Sequence, residues 1–111
     1  PANFDTKEAY IIVDLDERCK KQQMGEGWFA TVDDVPKQAI SMTCGQIMKC
    51  KTIVCAVPGA RKADAIYNTL SSDKIDPMVP ATLLKNHGCT HVVIDEGSAS
   101  KCDEALLAKY Q

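Results

Sequence analysis

TIVCAVPGARKADAIYNTL, residues 52–70, is the stretch whose reading decides the fold. Residues 52–57 are apolar without polar alternation, the pattern of a parallel strand covered on both faces by helices. Pro58-Gly59 forms the turn, and a helix is expected over about 60–71, opening with the adjacent cations Arg61 and Lys62. A helix N-terminus carries partial positive charge, so each cation there costs about 0.3–1 kcal/mol. The position has a compensating use. Open α/β sheets bind ligands beyond the carboxyl ends of their strands, where backbone N–H groups, the helix dipole and side-chain cations converge on an anion. A phosphate there would make charge-assisted hydrogen bonds of about 1.5–3 kcal/mol each. Neighbours on a helix diverge by about 100°, so at most one of the two cations is expected to face the anion.

Outward from this segment, EAYIIVDL (8–15) reads as a strand and DERCKKQQM (16–24) as a helix stopped by Gly25 and Gly27. WFATVDD (28–34) is a loop in which Trp28 and Phe29 are expected to plug the core. Asp34 as N-cap and Pro36 in the first turn predict a helix over DDVPKQAISMTCGQIMKCK, with Ile40, Thr43, Cys44, Ile47 and Met48 on its apolar face. Gly45 inside that pattern points to close approach of a neighbouring backbone, and Met42 and Met48 are assigned to the core. ATLLKNH (81–87) is a short helix, THVVIDE (90–96) a second buried strand, and SASKCDEALLAKY (98–110) a closing helix. Strands separated by helices imply right-handed crossovers. The expected fold class is therefore α/β, a three-layer Rossmann-like parallel sheet flanked by helices. Only three strands are legible, so residues 1–111 are expected to be an incomplete portion of one domain.

Bulk properties narrow the partners. The net charge of −2 disfavours nucleic acid and anionic membranes. No apolar run reaches the roughly 20 residues of a membrane span. The chain begins without an initiator methionine or a secretory leader, which reads as a processed or truncated cytoplasmic protein. The six cysteines contain no CxxC pair, so neither a metal site nor a redox pair is expected. They read as reduced thiols used as small apolar residues.

Taken in order, VPKQAISMTCGQIMKCKTIVCAVPGARKADAIYNTL (35–70), PMVPATLLKNH (77–87) and VVIDEGSA (92–99) resemble the C-terminal half of the glucosamine-6-phosphate deaminase/isomerase family. PANFDT resembles the segment just after that family's Gly-His-x-Ala-Phe-Asn motif, and QQMGEGWFATVDDVP is similar to a divergent deaminase-like subgroup. The resemblance implies conversion of glucosamine 6-phosphate to fructose 6-phosphate and ammonia, through ring opening and proton movement between C1 and C2. It implies no metal or organic cofactor. Lys62 matches the family's phosphate-binding lysine, with Arg61 a weaker second and Gly59 in the turn. A further phosphate-gripping arginine has candidates in Arg18, Lys20 and Lys21, none of them assigned.

The resemblance also implies that no catalytic residue lies in this chain, because the aspartate base, the ring-opening histidine and the Gly-rich phosphate loop belong upstream of Pro1. His87 and His91 are then structural, Asp95-Glu96 caps a strand end, and Thr82 stands where the family has serine with its hydroxyl preserved. The expected partners are a small-molecule sugar phosphate and either a second copy or the N-terminal part. Two alternatives remain: a 6-phosphogluconolactonase-like enzyme, and a non-catalytic sugar-phosphate sensor domain.

Overall fold

The computed structural model describes residues 1–111. An extended N-terminal segment leads into β1 (Tyr10–Asp14) and α1 (Glu17–Gly25), followed by a 3-10 turn at Val32–Asp34. β2 (Gln38–Met42), α2 (Cys44–Ile47) and β3 (Ile53–Val57) come next. A 3-10 turn at Ala60–Lys62 opens α3 (Ala63–Ser71). A 3-10 helix over Pro80–Asn86, β4 (Thr90–Ile94) and α4 (Glu104–Ala108) complete the chain. The fold is mixed α/β.

The strands form two separate pairs. β3 and β4 are parallel, with Cys55 opposite Val92 and Val57 opposite Ile94. β1 and β2 are antiparallel, with Ile12 opposite Ile40 and Tyr10 opposite Met42. The expected three-layer parallel sheet is thus not assembled within these residues, and there are four strands where three were legible. The strands also leave apolar surface open. Val54 on β3 is 68% exposed, and on the outer face of the β1–β2 ribbon Ile12 and Ile40 are 70% and 78% exposed. The expectation that both parallel strands are covered on both faces therefore fails on one face.

The helix expected over 34–51 is replaced by β2 and the single turn of α2. Helical periodicity lost to a non-local ladder, in which each of residues 38–42 pairs with a β1 residue. Thr43, read as a helix-face residue, is instead the α2 N-cap, its hydroxyl accepting the Gln46 N–H at 3.2 Å. The same hydroxyl donates to the Glu8 carbonyl at 2.7 Å, fastening the N-terminal segment, and Thr43 is buried. Gly45 meets its expected close neighbour in that segment: a Cβ there would lie 3.2 Å from the Thr6 carbonyl oxygen. Met42 and Trp28 are exposed, not core. Met42 falls on the outer side of the ribbon, and Trp28 follows the positive-φ Gly27 on a projecting loop. Of the cysteines, Cys44, Cys55 and Cys102 are half-buried, whereas Cys19, Cys50 and Cys89 are exposed, so the small-apolar role fits three.

Elsewhere local chemistry holds. Asp16 caps α1, accepting the Cys19 N–H at 2.8 Å, and Asp103 caps α4, accepting the Leu106 N–H at 2.8 Å. The loop before β4 is pinned by His87, whose ring lies 2.6 Å from the Cys50 carbonyl and accepts the Cys89 N–H at 3.1 Å. With Nδ1 accepting, the proton resides on Nε2 and is donated to Cys50. Only six residues are buried, among them Val35, Ala63 and Ile66. The exposed area of 8122 Å² exceeds the roughly 6,000 Å² of a compact chain of this mass. The radius of gyration, 15.3 Å, exceeds the expected value of about 13 Å.

Candidate functional site

β3 runs out at Val57, and Pro58-Gly59 turns the chain into α3. Gly59 has φ +93°, a region that side chains with a Cβ rarely enter. Its carbonyl accepts the Lys62 N–H at 3.1 Å, closing the 3-10 turn. Lys62 then occupies the N-cap position of α3 with no side-chain capping bond. This is the sequence's answer to a tight strand-to-helix turn: glycine for the positive φ, then a long cationic side chain where serine or aspartate usually caps.

Lys62 is half-buried and Arg61 exposed. Neither forms an ion pair or a side-chain hydrogen bond, in contrast to Lys101, which pairs with Asp64 in the first turn of α3. The structure therefore gathers Gly59, Arg61 and Lys62 at the carboxyl end of β3, with a cation that no protein group neutralises. Arg18, Lys20 and Lys21 lie on α1, where Lys20 pairs with Glu17 at 3.3 Å.

Facing the turn from the end of β4 is Asp95, the residue whose importance the strand-end reading understated. Its carboxylate accepts the Gly59 N–H at 3.1 and 2.9 Å through its two oxygens and the Ser98 N–H at 2.8 Å. Ser98 is fully buried, and its hydroxyl accepts the Asp95 N–H at 3.1 Å. An Asp followed three residues later by Ser is the signal in the sequence, the spacing of an acid that accepts from a backbone N–H three residues on. The Gly59 N–H is thereby taken by a protein carboxylate, which makes Gly59 a shape-giving residue in the turn.

The Ser98 and Gly59 N–H groups hold the Asp95 carboxyl below the usual aspartate range, and the Cys19 N–H does the same for Asp16. A carboxylate with a depressed folded-state pKa stabilises the fold above its unfolded value of about 3.9, and the contribution is lost as pH falls through the folded value. The melting temperature is expected to fall progressively as the pH drops below about 5, and Asp95→Asn should flatten part of that slope. An unchanged slope in the variant would contradict the assignment.

A cavity of about 430 Å³ lies apart from this turn, between β4, α3 and α4. Its walls include Leu70, Val92, Ile94, Leu107 and Tyr110. The polar groups at its edge are engaged: Lys85 Nζ donates to the Ser72 carbonyl and Tyr110 Oη to the Leu70 carbonyl. His91 is exposed on β4, 3.8 Å from the Cys89 sulfur. No group of three or more His, Cys, Asp or Glu side chains has metal-binding geometry. No helix is long and apolar enough to cross a membrane.

No protein-family model matches the chain. Among curated proteins it is similar to the glucosamine-6-phosphate deaminase of Clostridioides difficile strain 630, with 47% identity over 74 residues, 67% of this chain and 29% of the relative. The deaminase of Streptococcus pyogenes serotype M18 is 40% identical over 97 residues, 87% of this chain and 40% of the relative. A solved structure described as a monomeric glucosamine-6-phosphate deaminase, a missing link of the NagB superfamily, superposes with a TM-score of 0.79 at 31% identity. That match covers 90% of this chain and 39% of the neighbour. The chain thus spans between 29% and 40% of the length of these relatives. Over the matched part of its length, the chain is homologous to the glucosamine-6-phosphate deaminase (NagB) superfamily.

Proposed function

We propose that these residues form the C-terminal, phosphate-binding part of a cytoplasmic enzyme that converts glucosamine 6-phosphate to fructose 6-phosphate and ammonia. The observation that carries the reading is Lys62: a half-buried, unpaired cation opening α3 at the carboxyl end of a parallel strand, in a chain homologous to deaminases of that substrate. Lys62 would hold the phosphate as a point charge, Arg61 would add long-range attraction from solvent, and Gly59 would give the turn its shape. The open faces of both strand pairs and the excess exposed area support completion of the sheet by further polypeptide. That polypeptide would bring the groups that move the protons, which must come within hydrogen-bond reach of the substrate.

The test has two arms. The 111-residue chain is expected to bind glucosamine 6-phosphate but not glucosamine, and to release no ammonia from either. Turnover at the rate of a complete deaminase would contradict the division of labour. Binding of glucosamine equal to that of its phosphate would contradict the site.

A further inference from the structure

We infer that Asp95 is a positioning residue for the phosphate-binding turn: from the end of β4 its carboxylate holds the Gly59 N–H and, across that residue to its carbonyl, the backbone of Lys62. The inference rests on the reading of Lys62 given above and adds the group that fixes it in place.

The connection is a short relay. Both Asp95 oxygens accept the Gly59 N–H, at 3.1 and 2.9 Å, and the carbonyl of Gly59 accepts the Lys62 N–H at 3.1 Å. The Ser98 N–H, 2.8 Å from Oδ1, orients the carboxylate from the other side. Backbone contact reinforces the relay. A Cβ on Gly97 would lie 2.9 Å from the Ala60 nitrogen and 3.3 Å from the Gly59 carbonyl carbon, so the turn after β4 rests directly against the turn after β3. The Lys101–Asp64 pair ties the same two regions one turn further on.

A carboxylate suits this place because it only accepts, and it faces two N–H donors. An asparagine keeps the shape but turns one oxygen into a donor, and because both oxygens accept from the Gly59 N–H, that donor faces Gly59 in either orientation of the amide. Without the carboxylate the positive-φ Gly59 is free to swing, and Lys62 with it. Fixing a cation before the ligand arrives removes an ordering cost from binding.

The test uses the 111-residue chain and its Asp95→Asn, Ser98→Ala and Lys62→Gln variants. Amide hydrogen exchange at Lys62 reads the relay, and exchange at Ile66 within α3 corrects for global stability. Calorimetric titration with glucosamine 6-phosphate reads its consequence. In Asp95→Asn, corrected exchange at Lys62 is expected to accelerate about tenfold, and affinity to fall by a similar factor. Ser98→Ala keeps both carboxylate bonds to Gly59 and should leave each readout within about twofold.

If Asp95→Asn behaves like Ser98→Ala, the positioning role is wrong. If Lys62→Gln binds as the unsubstituted chain does, the phosphate reading is wrong, while the exchange arm still decides the relay. Should Asp95→Asn not fold, the unsubstituted chain decides: as Asp95 is protonated, the Gly59 and Lys62 amide shifts must move together. A Lys62 amide that stays still overturns the inference.

Discussion

Replacing Lys62 with glutamine is expected to weaken glucosamine 6-phosphate binding by about 10- to 100-fold, the equivalent of one charge-assisted hydrogen bond of roughly 1.5–3 kcal/mol. The substitution keeps a flexible polar side chain and removes the only half-buried cation at the end of β3. Stability should change little or rise slightly, because a cation at an uncapped helix start is unfavourable without a ligand. Arg61→Gln should lower affinity by no more than about threefold, since an exposed charge acts through solvent. Lys62→Arg should recover only part of the loss, because a planar guanidinium does not replace a compact ammonium at a fixed distance. Equal losses at 61 and 62 would mean that the site reads net charge rather than a placed ammonium.

The second large effect falls on Thr82, which is fully buried in the 3-10 helix before β4. Its hydroxyl accepts the Asp76 N–H at 2.8 Å and donates to the Val79 carbonyl at 2.7 Å. Valine fills the same space without the hydroxyl and strands the Asp76 N–H. The cost is expected at about 2–3 kcal/mol, which in a chain of this size lowers the melting temperature by roughly 4–8 °C per kcal/mol. Thr82→Ser keeps both bonds and loses one methyl group, about 0.8 kcal/mol. Because the same loop accepts the Ala2 N–H at the Pro77 carbonyl, valine should also loosen the N-terminal segment. Serine and valine variants with equal melting temperatures would refute this role for the hydroxyl.

Legibility in the sequence followed the range of the forces involved. β1, α1, β3, α3 and β4 were readable because their signals are local: β-branched runs, an Asp cap, a Pro-Gly turn. The failure at residues 34–51 has a specific cause. Ile40 and Met42 are apolar yet lie on the exposed face of the ribbon, so β2 lacks the polar alternation that marks a half-covered strand. Its identity depends on the ladder to β1, more than twenty residues away in sequence, which no local window contains.

The site divided in the same way. Lys62 stood out because a cation at a helix start defies the dipole, whereas Asp95 looked like an ordinary strand-end acid. What distinguishes Asp95 is the Gly59 N–H, brought to it from 36 residues away by the parallel pairing of β3 with β4. The close approach of Gly97 to Ala60 was likewise invisible until the two turns were set side by side.

The most direct measurement is a nuclear magnetic resonance titration that follows the Lys62 side-chain ammonium and its adjacent methylene. Addition of glucosamine 6-phosphate is predicted to shift both saturably, with glucosamine leaving them unmoved and the Arg61 guanidinium shifting far less. Lys62 signals that stay at their free positions while the sugar phosphate binds elsewhere, or that never respond to it, would contradict the account.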